Sequence, residues 1–325
     1  MPKVTVLMPV YNGELYLKEA IESILNQSFK DFEFLIINDG STDSSEEIIK
    51  SYGDSRIRLV NNERNLRLIA TLNKGLELAR GEYIARMDCD DISHPKRLEK
   101  QVKKMNSDES IAICGTGFKV IGKHGLKPLI LTDFKSIRNY LHIGNCIVHP
   151  SIMIRKSILR KNNYYYDPLY THIEDYELFV RISKKYKIVN LNKNLLHYRL
   201  SPNGISRQFS DKQYERTFNL SEQALQNKGI MLNRKPYMKL QLQKIEILQA
   251  QQEIKNILTS SNYSEYDINE ILRFLWLDVC TRGTSNGLSI LRTFYSFKEL
   301  KVRKLPKSYQ IYFIIKCLIK RKKPY

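Results

Sequence analysis

Two aspartates separated by one residue are the residues whose types most directly suggest chemistry. Asp88 and Asp90 follow the apolar run Tyr83–Met87, which has the composition of a buried strand. Carboxylates that end a buried strand are costly unless a positive charge compensates them. A hard divalent cation, Mn²⁺ or Mg²⁺, is a natural partner, because carboxylates and substrate phosphates hold such ions together. The alternative is a structural turn in which Asp88–Asp91 cap the next helix.

Two further polar turns follow apolar runs near the start of the chain. Pro9-Val10-Tyr11-Asn12-Gly13 comes after Val4–Met8, and Asn38-Asp39-Gly40-Ser41-Thr42-Asp43 comes after Phe32–Ile37. Asp39 precedes a glycine and is able to accept hydrogen bonds from a base or a ribose. The residues after that glycine are good turn and capping residues, so their default role is structural.

Short apolar runs alternate with helical patterns over the first 116 residues. The strand-like runs are Val4–Met8, Phe32–Ile37, Ile57–Val60, Tyr83–Met87 and Ile111–Cys114. Asn12 is predicted to cap the first helix between them. The alternation predicts an α/β fold, with a mostly parallel sheet sandwiched by helices. Parallel strands end at one edge of a sheet, where ligands bind, so the polar turns are expected to converge on one crevice.

Charge is distributed unevenly along the 325 residues. The net charge is +19, yet residues 1–120 carry 17 basic and 19 acidic side chains (−2), whereas residues 298–325 carry ten basic and one acidic (+9). A uniformly basic chain would favour nucleic acid as a partner. This distribution instead favours contact between the C-terminal end and anionic lipid.

Cysteine spacing and hydropathy bear on the cellular compartment. The five cysteines are scattered and include no CxxC pair, which argues against a disulfide framework and a zinc site and fits a reducing cytosol. No apolar run reaches the roughly 18 residues of a membrane span. No long apolar stretch follows Lys3, so a signal peptide is not expected either. A cytoplasmic location is the resulting expectation.

Two long segments resemble glycosyltransferase family 2, whose members have the nucleotide-sugar-binding fold called GT-A. They are PVYNGELYLKEAIESILNQSFKDFEFLIINDGSTDSS and ARMDCDDISHPKRLEKQ, and the resemblance extends over roughly residues 1–205. It implies that Pro9, Tyr11 and Asn12 line a nucleotide pocket. It also implies that Asp39 contacts the base, that Asp88 approaches the ribose or the metal, and that Asp90 binds the metal bridging the donor diphosphate.

Further residues match later parts of the family pattern. Glu174-Asp175 matches an acidic pair whose second carboxylate serves as general base, although two acids also suit a helix start. Arg86 either pairs with a carboxylate or approaches the phosphates. His197 is a candidate metal ligand, and Arg199 a candidate phosphate clamp. Residues around 199–210 are the candidate closing segment.

The resemblance implies an inverting, metal-dependent transferase. It would move a sugar from a nucleotide diphosphate, commonly UDP, to a hydroxyl of a glycan or lipid-linked acceptor in bacterial cell-surface polysaccharide assembly. Two alternatives stay open from the residues alone. A nucleotidylyltransferase also uses an α/β fold with metal-binding carboxylates, but usually has a glycine-rich basic loop after the first strand. A non-enzymatic nucleic-acid-binding protein is suggested by the pI of about 9.6.

The rest of the chain is predicted to be helical. We expect a catalytic domain over residues 1–207, with a nucleotide-binding half (1–116) and an acceptor half (117–207), and a helical region over 208–325. Residues 308–323 combine apolar and basic residues. They suit either an amphipathic helix on an anionic membrane, at the inner face of the plasma membrane, or a packed terminal helix with a basic tail.

Overall fold

The computed structural model describes residues 1–122, 130–201, 209–237, 239, 241–260 and 266–319. Within it the chain forms two compact units. Unit 1 comprises Met1–Ile137 and Cys146–Ser210, and unit 2 comprises Arg138–Asn145 and Asp211–Tyr325. The expected domain limits stay a prediction.

The strands of unit 1 form one eight-stranded sheet in the described part of the chain. They are β1 (Val4–Val10), β2 (Phe32–Asn38), β3 (Ile57–Asn61), β4 (Tyr83–Arg86), β5 (Ile92–Ser93), β6 (Ile111–Val120), β7 (Met153–Arg155) and β8 (Lys187–Tyr198), in the order β3-β2-β1-β4-β7-β6-β8-β5. The neighbours β3, β2, β1 and β4 are parallel, and so are β6 and β8. The strands β7 and β5 run antiparallel to their neighbours. The mostly parallel α/β sheet is therefore confirmed, with all five predicted strands in it.

Helices connect these strands. They are α1 (Glu14–Leu25), α2 (Ser45–Lys50), α3 (Leu68–Leu78), α4 (Arg97–Asn106), α5 (Phe134–Tyr140), α6 (Lys156–Asn162) and α7 (Glu174–Ser183). The helix α1 buries Leu17, Ala20, Ile21 and Ile24, which share one face at a 3.6-residue period. Every residue of β1 and β2 is buried, as expected for central strands covered on both sides. These two strands supply much of the hydrophobic core and hold the turns at their carboxyl ends in place.

Unit 2 is built from helices in the described residues. They are α8 (Ser210–Gln226), α9 (Lys244–Ser260), α10 (Tyr266–Arg282), α11 (Leu288–Ser296) and α12 (Lys307–Leu318). Aromatic side chains fill its core, where the ring centroids of Trp276 and Phe297 lie 5.5 Å apart and those of Phe294 and Phe313 lie 4.6 Å apart. No helix among the described residues has the length and apolar character needed to cross a membrane.

Gly40, after β2, is a position where the fold requires glycine. Its φ is +70°, and a Cβ there would lie 2.7 Å from the backbone carbon of Arg64 and 2.8 Å from the backbone nitrogen of Asn65. A side chain in the left-handed region costs about 1–2 kcal/mol before any clash is counted. The turn after β2 therefore depends on this glycine.

We expect Gly40→Ala to lower the free energy of unfolding by about 2 kcal/mol or more, because strain and backbone collision add. Urea denaturation measures the change. Gly53→Ala is the matched control, since nothing lies within 4 Å of a Cβ there and its φ is outside the left-handed region. Equal midpoints for the two variants would contradict the prediction.

Candidate active site

The polar turns after β1, β2 and β4 lie side by side, because these strands are adjacent and parallel. The N–H of Asn12 donates to Ser41 Oγ (3.0 Å), and Asn12 Oδ1 accepts from the N–H of Thr42 (2.8 Å). The third turn touches the first, since a Cβ on Gly13 would lie 3.1 Å from Cys89 Sγ. The three turns are therefore brought together, as the sheet topology predicted.

The nucleotide-pocket candidates after β1 differ in exposure. Pro9 is buried within the strand, whereas Tyr11 just beyond it is 49% exposed. Asn12 does not cap the first helix, so that prediction is wrong: α1 begins at Glu14 and has no side-chain cap. Asn12 adopts φ +50°, a left-handed conformation that asparagine tolerates. Its side-chain Oδ1 accepts a hydrogen bond from the N–H of Thr42 and does not cap the helix. A role in nucleotide binding stays a prediction for all three residues.

Asp39 is buried at the end of β2, with 3% of its surface exposed. Its Oδ1 accepts from Asn62 Nδ2 (2.7 Å) and from the N–H of Leu66 (2.9 Å). Asn62 in turn accepts from Lys74 Nζ at 2.6 Å. In the structure Asp39 therefore fixes the segment after β3, and contact with a base stays a prediction.

The acidic turn after β4 gathers three carboxylates. One ligand oxygen from each of Asp88, Asp90 and Asp91 lies within 4.8 Å of the others, and these are the acids of the described chain that could share an ion. Burial, reinforced by the charge of Asp88, raises the pKa of Asp91 to about 8 and that of Asp90 to about 6. The buried Oδ2 of Asp91 has no hydrogen-bond partner. This orphaned oxygen, beside two more carboxylates, fits a hard divalent cation such as Mn²⁺ or Mg²⁺.

Arg86 is the buried positive charge next to these carboxylates. Only 4% of its surface is exposed, and its Nη2 forms an ion pair with Asp88. Pairing with a carboxylate was one of its two expected roles, and it is observed. The guanidinium opposes the rise in pKa of Asp90 and Asp91. Its Nε and Nη1 are buried without hydrogen-bond partners, so it retains donors for a further acceptor.

A second buried arginine, Arg97 in α4, holds the end of β4. Its Nη2 donates to the carbonyl of Arg86 at 2.6 Å, and its Nε donates to Gln101 Oε1 at 3.0 Å. Burial and the neighbouring Arg86 lower its pKa to about 9. Arg97 thus satisfies a strand-end carbonyl and fixes the point from which the acidic turn departs.

Arg199 directly follows β8 and contacts the acidic turn. Its N–H donates to Asp91 Oδ1 (2.8 Å), and its Nε donates to the carbonyl of Asp90 (2.8 Å). Its Nη2 pairs with Glu19 at 2.8 Å. Its guanidinium is thus bonded to protein groups, and phosphate clamping stays a prediction. Residues 202–208, most of the candidate closing segment, lie outside the described residues.

His197 is not brought into the carboxylate group. It lies opposite Ile92 of β5 and Lys119 of β6, and it is half-buried. Burial lowers its pKa, and the charges of Lys119 and His94 lower it further. Arg199 lies beyond the end of β8 and bonds the acidic turn through its backbone N–H and its Nε, whereas His197 lies within the strand. The described ion site therefore consists of aspartates alone.

The acidic pair at the start of α7 lies within electrostatic reach of Arg86. Glu174 is 6% exposed, and burial together with the charge of Asp175 raises its pKa to about 7. Asp175 is half-buried, and its Oδ1 accepts from the N–H of Tyr176 at 2.7 Å. The charge of Arg86 opposes the rise in the pKa of Glu174. The buried guanidinium of Arg86 thus acts electrostatically on both acidic groups, which were predicted from separate motifs.

Tyr166 and His149 are two further buried residues within electrostatic reach of Arg86. The Tyr166 hydroxyl hydrogen-bonds His149 Nε2 at 2.8 Å, and Asn73 exchanges two hydrogen bonds of 2.9 Å with the Tyr166 backbone. Burial raises the pKa of Tyr166, which Arg86 opposes and Asp175 increases. Burial also holds the pKa of His149 well below its usual value, so the ring stays neutral.

Sequence reasoning missed several of these residues. Asp91 could have been included as a ligand, because it directly follows the Asp88-x-Asp90 pair. Tyr166 sits in a tyrosine-rich run that carries no motif, and Arg97 looked like an ordinary exposed helix residue. Only long-range packing identifies these two.

A cavity of about 150 Å³ lies elsewhere in unit 1. Its lining includes Leu76 of α3, Lys156 of α6 and the tyrosines 164 and 165. None of the candidate site residues lines it, so it adds nothing to the chemistry at the strand ends.

Known proteins with similar sequences are glycosyltransferases. The family pattern described as glycosyl transferase family 2 matches residues 5–162. An uncharacterized glycosyltransferase of Methanocaldococcus jannaschii is 42% identical over 209 residues, which are 61% of this chain and 71% of that protein. The O-antigen biosynthesis glycosyltransferase WbnJ of Escherichia coli is 34% identical over 205 residues, 61% of this chain and 79% of WbnJ.

Solved structures share the fold at low sequence identity. The S. aureus TarS 1–349 structure in complex with UDP has a TM-score of 0.56 at 18% identity, covering 95% of this chain and 92% of that one. The mannosyltransferase PcManGT from Pyrobaculum calidifontis, in complex with GDP-Man and Mn²⁺, has a TM-score of 0.52 at 15% identity, covering 98% and 86%. The fold is therefore that of GT-A glycosyltransferases.

The family decides among the three functions that the residues alone left open, and it selects glycosyl transfer over nucleotidyl transfer and over nucleic-acid binding. The strand-end turns that carry the family resemblance lie side by side, and one of them carries the three aspartates. The chain belongs to glycosyl transferase family 2.

Proposed function

We propose that this glycosyltransferase is an inverting, divalent-cation-dependent enzyme that uses a nucleotide diphosphate sugar. The observation that carries the proposal is the group of three buried or half-buried aspartates beside Arg86, at the edge where β1, β2 and β4 end. Asp88, Asp90 and Asp91 would hold the cation, Mn²⁺ or Mg²⁺. When bound, the cation would neutralise the negative charge that grows on the departing diphosphate.

The acceptor side of the reaction requires a base. We assign this role to Asp175, at the start of α7, which would remove the proton of the acceptor hydroxyl as that oxygen attacks the anomeric carbon. A single displacement of this kind inverts the anomeric configuration. Glu174 beside it has a pKa of about 7, raised first by burial. Glu174 is thus partly protonated near neutral pH, which limits repulsion between the two acids.

The donor is proposed to be a UDP-sugar. Two of the similar structures support this, because TarS was solved in complex with UDP and with UDP-GlcNAc. PcManGT was solved with GDP-Man, so the guanine nucleotide is the main competitor. Pro9, Tyr11, Asn12 and Asp39 are the proposed nucleotide contacts, with Arg86 and Arg199 near the diphosphate.

The acceptor is proposed to be a glycan or a lipid-linked oligosaccharide in cell-surface polysaccharide biosynthesis. The name of WbnJ, an O-antigen biosynthesis glycosyltransferase, supports this class. A lipid-linked acceptor would bring the chain to the cytoplasmic face of the plasma membrane.

The donor proposal is tested by incubating the full chain with UDP-, GDP- and dTDP-sugars, with water as the sugar acceptor, and measuring nucleotide release with and without Mn²⁺. We expect release from one UDP-sugar, abolished by a chelator, since the acidic turn would repel the diphosphate without a cation. Asp90→Asn is expected to remove the cation-dependent release while the thermal midpoint is kept. Full activity of that variant would disprove the cation site.

The cation should stabilise the protein more strongly at high pH. Asp90 and Asp91 have folded pKa values of about 6 and about 8, above the ordinary 3.8, so the folded state holds their protons more tightly than the unfolded state. Stability from these groups therefore falls as pH rises from about 4 to about 8. Deprotonation also frees the oxygens for a cation, which adds about 2.7 kcal/mol at 100 times its Kd.

We accordingly expect the Mn²⁺-induced rise in Tm to be several degrees larger near pH 8 than near pH 5, in a thermal-shift titration. Asp91→Asn should lose most of this pH dependence. Asp167→Asn is the control. Asp167 lies outside the aspartate cluster and caps the short 3-10 helix Pro168–Tyr170. A Tm rise that does not depend on pH in the unaltered protein would contradict the assignment.

Loss of the base should affect turnover without affecting donor binding. We expect Asp175→Asn to lower kcat about 100-fold or more, the usual contribution of a general base, with an unchanged Kd for the nucleotide. Steady-state kinetics and nucleotide titration measure the two quantities. If kcat is unchanged, Asp175 is not the base.

A further inference from the structure

The outward face of the C-terminal helix α12 is aliphatic. Its inward side buries Tyr309, Phe313 and Cys317 against the rest of unit 2. On the outward side, Ile311 is 56% exposed, Leu318 is 60% exposed and Ile319, just after the helix, is 46% exposed. At 100° per residue these three share one arc with the half-buried Ile314 and Ile315. We call Ile311, Ile314, Ile315, Leu318 and Ile319 the apolar face.

The charges of the helix are not arranged as in the amphipathic alternative that its sequence allows, because Lys316 is turned inward. Lys316 is 2% exposed, and its Nζ lies 4.9 Å from the centroid of the Tyr312 ring. Within the last two turns of the helix the lysine is thus hidden, and the outward side keeps the aliphatic residues. An ordinary surface helix does the reverse, so this face is suited to a partner and not to water.

Basic side chains surround the apolar face in sequence. Lys298, Lys301, Arg303 and Lys304 are exposed in the segment that leads into α12, and so is Lys307, its first residue. The run Lys320-Arg321-Lys322-Lys323 follows the helix in sequence and lies outside the described residues. Residues 298–325 contain one acid, Glu299, which pairs with Lys255. In the sequence, basic residues therefore come both before and after the apolar face.

We propose that the apolar face of α12 docks onto the surface of an anionic lipid bilayer. Aliphatic side chains suit the boundary between headgroups and acyl chains, and flanking lysines and arginines suit anionic headgroups. No described helix could span a membrane, so contact would be at the surface. A nucleic acid would be a poor match, because the exposed residues of the face are isoleucine and leucine and not stacking aromatics. The inference does not rest on the proposed chemistry at the strand ends.

Vesicle co-sedimentation of the full chain, without nucleotide, tests the proposal. We expect binding to phosphatidylcholine vesicles that contain roughly one third phosphatidylglycerol, weak binding to phosphatidylcholine alone, and loss of binding at high salt. Ile311→Ser with Leu318→Ser should weaken partitioning about tenfold or more at an unchanged Tm. Because binding is measured without donor or acceptor, failure here leaves the transferase proposal intact.

The matched control is Ile245→Ser with Leu248→Ser, which removes one isoleucine and one leucine that are 63% and 41% exposed on α9. It should bind vesicles like the unaltered chain. An Ile311→Trp variant adds an insertion readout, because the single native tryptophan, Trp276, is fully buried. Its emission should shift to the blue with anionic vesicles. Equal binding by the two double variants, no shift, or a lipid-free dimer disrupted by the α12 substitutions would overturn the proposal.

Discussion

Repulsion among the carboxylates at the end of β4 is the constraint around which the site is organised. Asp88, Asp90 and Asp91 place three carboxylates within 4.8 Å in a partly buried turn, where like charges interact more strongly than in water. The protein answers with Arg86, which pairs with Asp88 from inside the sheet. It also uses the N–H of Arg199, which donates to Asp91. These contacts do not neutralise the cluster, because the pKa values of Asp90 and Asp91 remain raised by burial.

The buried arginine also links the two halves of the proposed reaction. Arg86 ends β4 on the donor side, and its charge acts on Glu174 at the start of α7 on the acceptor side. Tyr166 and His149, which are hydrogen-bonded to each other, also lie within electrostatic reach of Arg86. The guanidinium of Arg86 thus influences both the aspartates proposed to bind the metal and Glu174, which is next to the proposed base. Arg97 contributes by bonding the carbonyl of Arg86, which keeps the strand end from moving.

Unit 2 buries charged side chains as well as apolar ones. Its core combines aliphatic and aromatic side chains and holds a buried ion pair between Asp278 and Arg282 at 3.0 Å. Its last helix turns a lysine inward and isoleucines outward, which is hard to explain by folding of the unit alone. This surface is the one proposed to dock on a lipid bilayer.

Much of unit 1 could be predicted from the sequence, and the reason is local. Five strands were readable because β-forming residues cluster in short apolar runs, and their shared edge followed from the parallel topology. Asp39, Asp88 and Asp90 were readable because they stand directly after those runs. Tertiary structure alone decided which polar atoms meet. It added Asp91 and Tyr166, left His197 outside the carboxylates, bonded Arg199 to the acidic turn, and turned Lys316 inward. Such pairings join residues far apart in sequence, and burial of one partner depends on where the other lies, which no local pattern records.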